Sequence, residues 1–212
     1  MKEIRLIIFD LDGTLVDAYP AIIKSFNYTM QRLNYPTQSD LTIRRCVGWG
    51  DENLLKPFIK RKDLNRALLI YRRHHKRALL KDTRIFTHVH KVLNYLKGQD
   101  YKLVVASNRP TQFSQILIRH LGLKKYFDYI LCADRLKNIK PHPEILNKIM
   151  QRFKVAPQQA IYVGDMTIDA QAGRGARVKT IIVTTGSSTR GQIHKEKPYR
   201  VIRKITDLLK IL

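Results

Sequence analysis

The stretch Ile4-Arg5-Leu6-Ile7-Ile8-Phe9-Asp10-Leu11-Asp12-Gly13-Thr14 passes abruptly from an apolar, β-branched half into a cluster of acids, glycine and threonine. Its first half has the unbroken apolar character of a strand buried on both faces of a parallel sheet. Its second half sets Asp10 and Asp12 two residues apart at the strand's end, where side chains i and i+2 address one face. Gly13 then lets the chain turn sharply beside them. Similar apolar runs recur at 101–106, 160–163 and 179–183, with a shorter one at 129–132. Amphipathic segments of helical length lie between them at 87–96, 111–121, 143–153 and 168–176. Strands alternating with helices predict βαβ units, a parallel sheet covered by helices on both faces.

Residues 18–84 break this rhythm. They contain no convincing strand, and Ile22, Phe26, Met30 and Leu33 recur at helical spacing, as do Leu68, Tyr71 and Leu79 within the basic run 64–80. The expected organisation is an α/β, Rossmann-like core made of residues 1–17 and 85–212, with a helical cap, residues 18–84, inserted after the first strand. His74 and His75 fall in the basic helical run and are expected to face solvent.

The composition, 44% hydrophobic and 27% charged over 212 residues, excludes disordered, collagen-like and fibrous chains. The apolar stretch Leu6–Phe9 is too short for a spanning helix or a leader, so no membrane association is expected. Two cysteines make no disulfide framework, and a cytoplasmic location is the expectation. The outlier is charge: 40 Lys+Arg against 17 Asp+Glu give +23. The inserted segment holds 15 of those bases and 5 of the acids. Such a field attracts polyanions, so a nucleic-acid-associated or nucleic-acid-binding role stands as an alternative. Against it, the positive residues are dispersed, with no basic tail and no zinc-finger spacing.

In open α/β sheets, ligands bind beyond the carboxyl ends of the strands. Three strand ends carry polar clusters: Asp10 to Thr14, Ser107-Asn108-Arg109 and Gly164-Asp165. Carboxylates gathered where buried strands end are costly unless neutralised, and a hard divalent cation such as Mg²⁺ neutralises them. Two neighbouring carboxyls can also divide labour, one attacking while the other carries a proton.

Asp10-Leu11-Asp12-Gly13-Thr14-Leu15-Val16-Asp17 resembles the first signature of the haloacid-dehalogenase-like superfamily of phosphohydrolases. Ser107, Lys140-Pro141 and Gly164-Asp165-Met166-Thr167-Ile168-Asp169 resemble its second, third and fourth signatures, in the same order. Within it, the stretches 16–20, 44–50 and 138–143 look like the phosphoglycolate phosphatase group. The resemblance implies an Mg²⁺-dependent phosphatase acting on a small phosphorylated metabolite. Asp10 would be the nucleophile, forming an aspartyl-phosphate, and Asp12 the general acid and base. Ser107, Asn108 and Lys140 would bind phosphate. Asp10, the Asp12 backbone carbonyl and Asp165 would hold the metal, with Asp169 behind them. Arg45, Gly48 and Trp49 would face substrate from the cap, although Trp49 reads equally as a core aromatic. Asp17 would belong to the cap hinge. A sugar-phosphate mutase of the same superfamily, β-phosphoglucomutase-like, is the related alternative. One departure stands out: Arg109 follows Ser107-Asn108, where the group more usually has lysine.

Overall fold

A computed structural model describes residues 4–212. The predicted strands form as β1 (Leu6–Phe9), β4 (Lys102–Ser107), β5 (Tyr129–Cys132), β6 (Ala160–Gly164) and β7 (Lys179–Val183). A short β8 (Arg200–Ile202), which the periodicity does not reveal, completes a six-stranded sheet of order β5-β4-β1-β6-β7-β8. Every ladder in it is parallel.

Burial on both faces explains the apolar runs. Ile7, Phe9, Leu103, Val105, Ile161 and Val163 pack into one layer, and Leu6, Ile8, Val104, Ala106, Ala160 and Tyr162 into the opposite one. Each fully buried aliphatic side chain contributes about 1.5–3 kcal/mol, which makes this alternation the main source of the sheet's stability. The first layer is closed by α5 (Val89–Gly98) and α6 (Thr111–His120), the second by α7 (Glu144–Phe153) and α8 (Thr167–Gly175). A further short helix, α9 (Arg190–Lys195), was not legible in the sequence.

The regular structure between β2 and β3 is helical: α1 (Tyr19–Arg32), α2 (Asp40–Cys46), α3 (Asp51–Leu55) and α4 (Leu64–Asp82), joined by short loops and single 3₁₀ turns. Phe26 and Met30 of α1 and Tyr71 and Leu79 of α4 are buried in the same apolar layer, and α1 and α4 form the main helix pair. The segment enters and leaves through a two-stranded antiparallel ribbon, β2 (Val16–Asp17) against β3 (Arg84–Ile85). Among the described residues, no helix is long and apolar enough to cross a membrane.

Register positions the site. Phe9 pairs with Val105 on one side and Val163 on the other, so the ends of β4, β1 and β6 stand abreast. Ser107, Asp10 and Asp165 therefore emerge along one rim.

Candidate active site

Asp10, Asp165 and Asp169 each bring a carboxylate oxygen to within 4.8 Å of one another, and all three are buried. Lys140 arrives from the loop before α7. Its ammonium donates to Asp10 Oδ1 at 2.7 Å, Asp169 Oδ1 at 2.8 Å, Tyr162 Oη at 2.9 Å and the Ala106 carbonyl at 3.2 Å. Asp169 is saturated. Its Oδ1 also accepts from Tyr162 Oη at 2.6 Å, and its Oδ2 from the backbone N–H groups of Asp165 and Met166 at the start of α8. It buttresses the cluster and has little left to offer a ligand.

Asp165 is different. Thr14 Oγ1 donates to its Oδ1 at 2.9 Å, but its Oδ2 is buried without any hydrogen-bond partner. Two glycines make room for that carboxylate: a Cβ on Gly13 would lie 2.2 Å from Asp165 Oδ2, and one on Gly186 1.8 Å from it. Gly13 also holds φ at +84°, a conformation that favours glycine.

Three buried carboxylates against one ammonium leave two negative charges uncompensated. The electrostatics register that excess. Burial pushes the Asp10 carboxyl up to about 7, with Lys140 opposing the shift and Asp169 adding to it. Burial, then the charges of Asp10 and Asp169, hold the Asp165 carboxyl well above the usual carboxylate range. Hard oxygen donors, a twofold charge excess and an orphaned carboxylate oxygen fit a divalent cation of the Mg²⁺ kind. Lys140, pressed by Asp10 and Asp169 against the opposing effect of burial, stays protonated.

Above this cluster, Asp12 meets an unexpected partner. Arg109 grips it with a two-pronged fork, Nε to Oδ2 at 2.8 Å and Nη2 to Oδ1 at 2.7 Å. Its third nitrogen, Nη1, lies 2.7 Å from His75 Nε2 on α4. A guanidinium only donates, so His75 Nε2 accepts and the imidazole is neutral, with its proton on Nδ1 toward Ser25 Oγ. Burial and then the Arg109 charge hold the His75 pKa well below its usual value, consistent with that tautomer.

The expectation that His75 faces solvent is therefore corrected: it is only 2% exposed, stacked on Tyr71 and edge-on to Phe113. Its neighbour His74 remains partly exposed. The signal was the spacing of Tyr71, His75 and Leu79 along one face of α4, which the surrounding bases obscured.

The remaining expected residues divide. Ser107 lines the cavity at 2% exposure, its oxygen accepting only from the Arg109 N–H, so its hydroxyl proton is free to donate. Asn108 lines the cavity as well. Its side-chain amide donates to the carbonyls of Gly48 and Lys140 and accepts from the Lys140 N–H, which ties the Gly48 loop to the sheet's rim. Gly48 lines the cavity. Arg45 and Trp49 do not: Arg45 is exposed, and Trp49 is 40% exposed, neither facing the cavity nor in the core. Val47 and Gly48, between them in the chain, line the cavity instead. Asp17 sits in the ribbon, where its Oδ1 accepts from the Tyr19 N–H. Arg109, which in the sequence stands out only as a departure where lysine is more usual, lines the same cavity.

A parallel α/β sheet whose rim gathers buried aspartates, a lysine and a free serine hydroxyl beside the inserted helices offers a ligand hard oxygen donors, a cation and a hydroxyl proton. The family model described as haloacid dehalogenase-like hydrolase matches residues 7–183, and the chain belongs to that family. It is an enzyme, a phosphatase of the haloacid-dehalogenase-like kind. It is similar to the phosphoglycolate phosphatase of Nitrosococcus oceani, 29% identical over 220 residues that cover 100% of this chain and 98% of the relative. It is similar also to that of Escherichia coli K12, 27% identical over 235 residues covering 100% and 93%. A crystal structure described as a predicted phosphoglycolate phosphatase from Haemophilus somnus 129pt superposes with a TM-score of 0.94 at 28% identity, covering 100% of this chain and 99% of that one.

Proposed function

We propose that this protein is an Mg²⁺-dependent phosphatase of a small phosphate monoester, with 2-phosphoglycolate the leading substrate, working through a phosphorylated Asp10. The observation that carries this reading is the clustering of the Asp10, Asp165 and Asp169 carboxylates, of which Lys140 pairs with Asp10 and Asp169 while Asp165 Oδ2 is left without a partner. The Asp10 and Asp165 carboxylates and the Asp12 backbone carbonyl would hold the cation. Bound there, it offsets the repulsion between carboxylate and phosphate and acts as a Lewis acid.

This chain's own residues do the rest. Ser107 donates its free hydroxyl to a phosphate oxygen. Lys140 holds the Asp10 carboxylate in place by gripping one oxygen. An Asp10 oxygen bonds to phosphorus as the ester P–O bond breaks, and Asp12 gives a proton to the departing alkoxide. Asp12 then takes a proton from water as that water's oxygen bonds to phosphorus and the P–O bond to Asp10 breaks. Inorganic phosphate leaves, Asp10 is a carboxylate again, and Asp12 carries the proton taken from water in place of the one it gave up. Proton transfer by a placed carboxyl is worth roughly 10²–10⁴-fold.

The relatives' names support 2-phosphoglycolate as substrate, and the free thiols of Cys46 and Cys132 support a cytoplasmic setting. The test is a panel of phosphate monoesters assayed with Mg²⁺ and with EDTA. Phosphate release that requires Mg²⁺ and is greatest for 2-phosphoglycolate is expected. Equal release in EDTA, or formation of an isomerised sugar phosphate without net phosphate release, would contradict the reading.

A further inference from the structure

Arg109 stands in the cavity between Asp12 on the core and His75 on the cap, 8% exposed, with its two-pronged grip taken up by a carboxylate of the protein itself. That arrangement conflicts with the chemistry just described. Both Asp12 carboxylate oxygens are taken up by the fork, so neither is placed to meet the oxygen of a leaving group. The pair has to open before Asp12 can act.

We propose that Arg109 reads a second anionic group on the substrate, and that Asp12 fills that position until substrate arrives. The inference rests on the phosphatase reading. A carboxylate one carbon from the ester oxygen would enter the fork in place of Asp12 and release Asp12 for proton transfer. Guanidinium geometry matches any carboxylate, so the exchange conserves both hydrogen bonds. The other acids lining the cavity are engaged elsewhere: Asp10 and Asp169 by Lys140, and Asp51 by Arg72, which holds its Oδ2 at 2.8 Å.

The guanidinium itself stays in place. His75, fixed by Tyr71, Phe113 and Ser25, accepts from Nη1 on the side away from Asp12. Arg109 thereby joins substrate recognition to activation. An ester with a neutral leaving group still offers its phosphate to Ser107, but leaves Asp12 gripped and unable to donate. Discrimination falls on kcat more than on KM.

The experiment compares 2-phosphoglycolate with 2-hydroxyethyl phosphate, in which a hydroxymethyl group replaces the carboxylate. The full-length enzyme, Arg109→Gln and Arg109→Lys are each assayed with Mg²⁺. The wild type should favour the carboxylate ester by about 100-fold, chiefly in kcat, since with the analogue Asp12 stays in the fork and its proton transfer, worth roughly 10²–10⁴-fold, is lost. In Arg109→Gln the preference should shrink to about threefold or less, with Arg109→Lys between, because lysine keeps the charge and loses the fork. An unchanged preference in a folded Arg109→Gln overturns the proposal. If that variant does not fold, Arg109→Lys decides: a preference reduced about tenfold supports the assignment and an unreduced one overturns it. Wild-type enzyme that hydrolyses both esters equally well, or other monoesters but neither of these, sinks this inference and leaves the phosphatase reading standing. Failure to hydrolyse any monoester sinks both.

Discussion

The Lys140 ammonium donates to Asp10 Oδ1 at 2.7 Å across 130 residues of chain, and both side chains are almost wholly shielded from water. An ion pair so placed is poor at stabilising a fold, because desolvation of both charges offsets most of their attraction. Its value lies in orientation: it holds the acid at the end of β1 in one position while the neighbouring carboxylates repel it.

Removing the cation alone exposes that cost. Lys140→Met should destabilise the protein by about 3–5 kcal/mol, since Asp10 and Asp169 would be left buried and unpaired. Urea denaturation reads the loss. A midpoint unchanged from wild type would show that the pair carries no such burden.

Metal binding should be visible without turnover. Mg²⁺ at 100 times its Kd stabilises by about 2.7 kcal/mol, and a thermal melt should shift upward accordingly. Asp165→Asn should lose that shift, and in EDTA should be no less stable than the wild type, because it removes a buried carboxylate whose charge nothing balances. A full Mg²⁺ shift in Asp165→Asn would place the cation elsewhere.

Gly186→Ala tests the crowding around the same carboxylate. The new methyl would lie 1.8 Å from Asp165 Oδ2, so either the loop or the carboxylate must move. A loss of about 1–3 kcal/mol is expected from overpacking, together with a weakened thermal response to Mg²⁺. Wild-type behaviour on both counts would mean that the loop gives way freely.

The buried neutral His75 sets a pH dependence. Its folded pKa lies well below its unfolded value of about 6.5. Below pH 6.5 the unfolded chain takes up a proton that the folded chain refuses, so stability falls as pH drops from about 6.5 toward the folded value. Urea midpoints between pH 8 and pH 5 in saturating Mg²⁺ should show a slope that His75→Gln flattens. Identical slopes in both proteins would contradict a neutral, buried imidazole.

Much of this was legible because it is local. The strand runs at 101–106 and 160–163 needed only an apolar pattern, and the acids at 10, 12 and 165 only their position at strand ends. What escaped was set by tertiary packing. Asp12 and Arg109 are 97 residues apart, and the fork between them leaves no trace in either segment beyond an arginine where lysine is more usual. His75 sat among bases that suggested a solvated helix, although Tyr71 and Leu79 on the same face pointed inward. The Asn108 side chain reaches carbonyls 60 and 32 residues away, contacts that no local pattern announces. β8, three residues long with one of them exposed, was too brief for any periodicity.

The most direct test of the central claim is to find the phosphoryl group on the enzyme. During steady turnover of 2-phosphoglycolate with Mg²⁺, the reaction is quenched in acid and the protein reduced with borohydride, which converts an aspartyl-phosphate to homoserine. Peptide mass spectrometry should then locate homoserine at position 10, and at no other aspartate. Rapid turnover with Asp10 unmodified in every quenched sample, together with full activity in Asp10→Asn, would contradict the account.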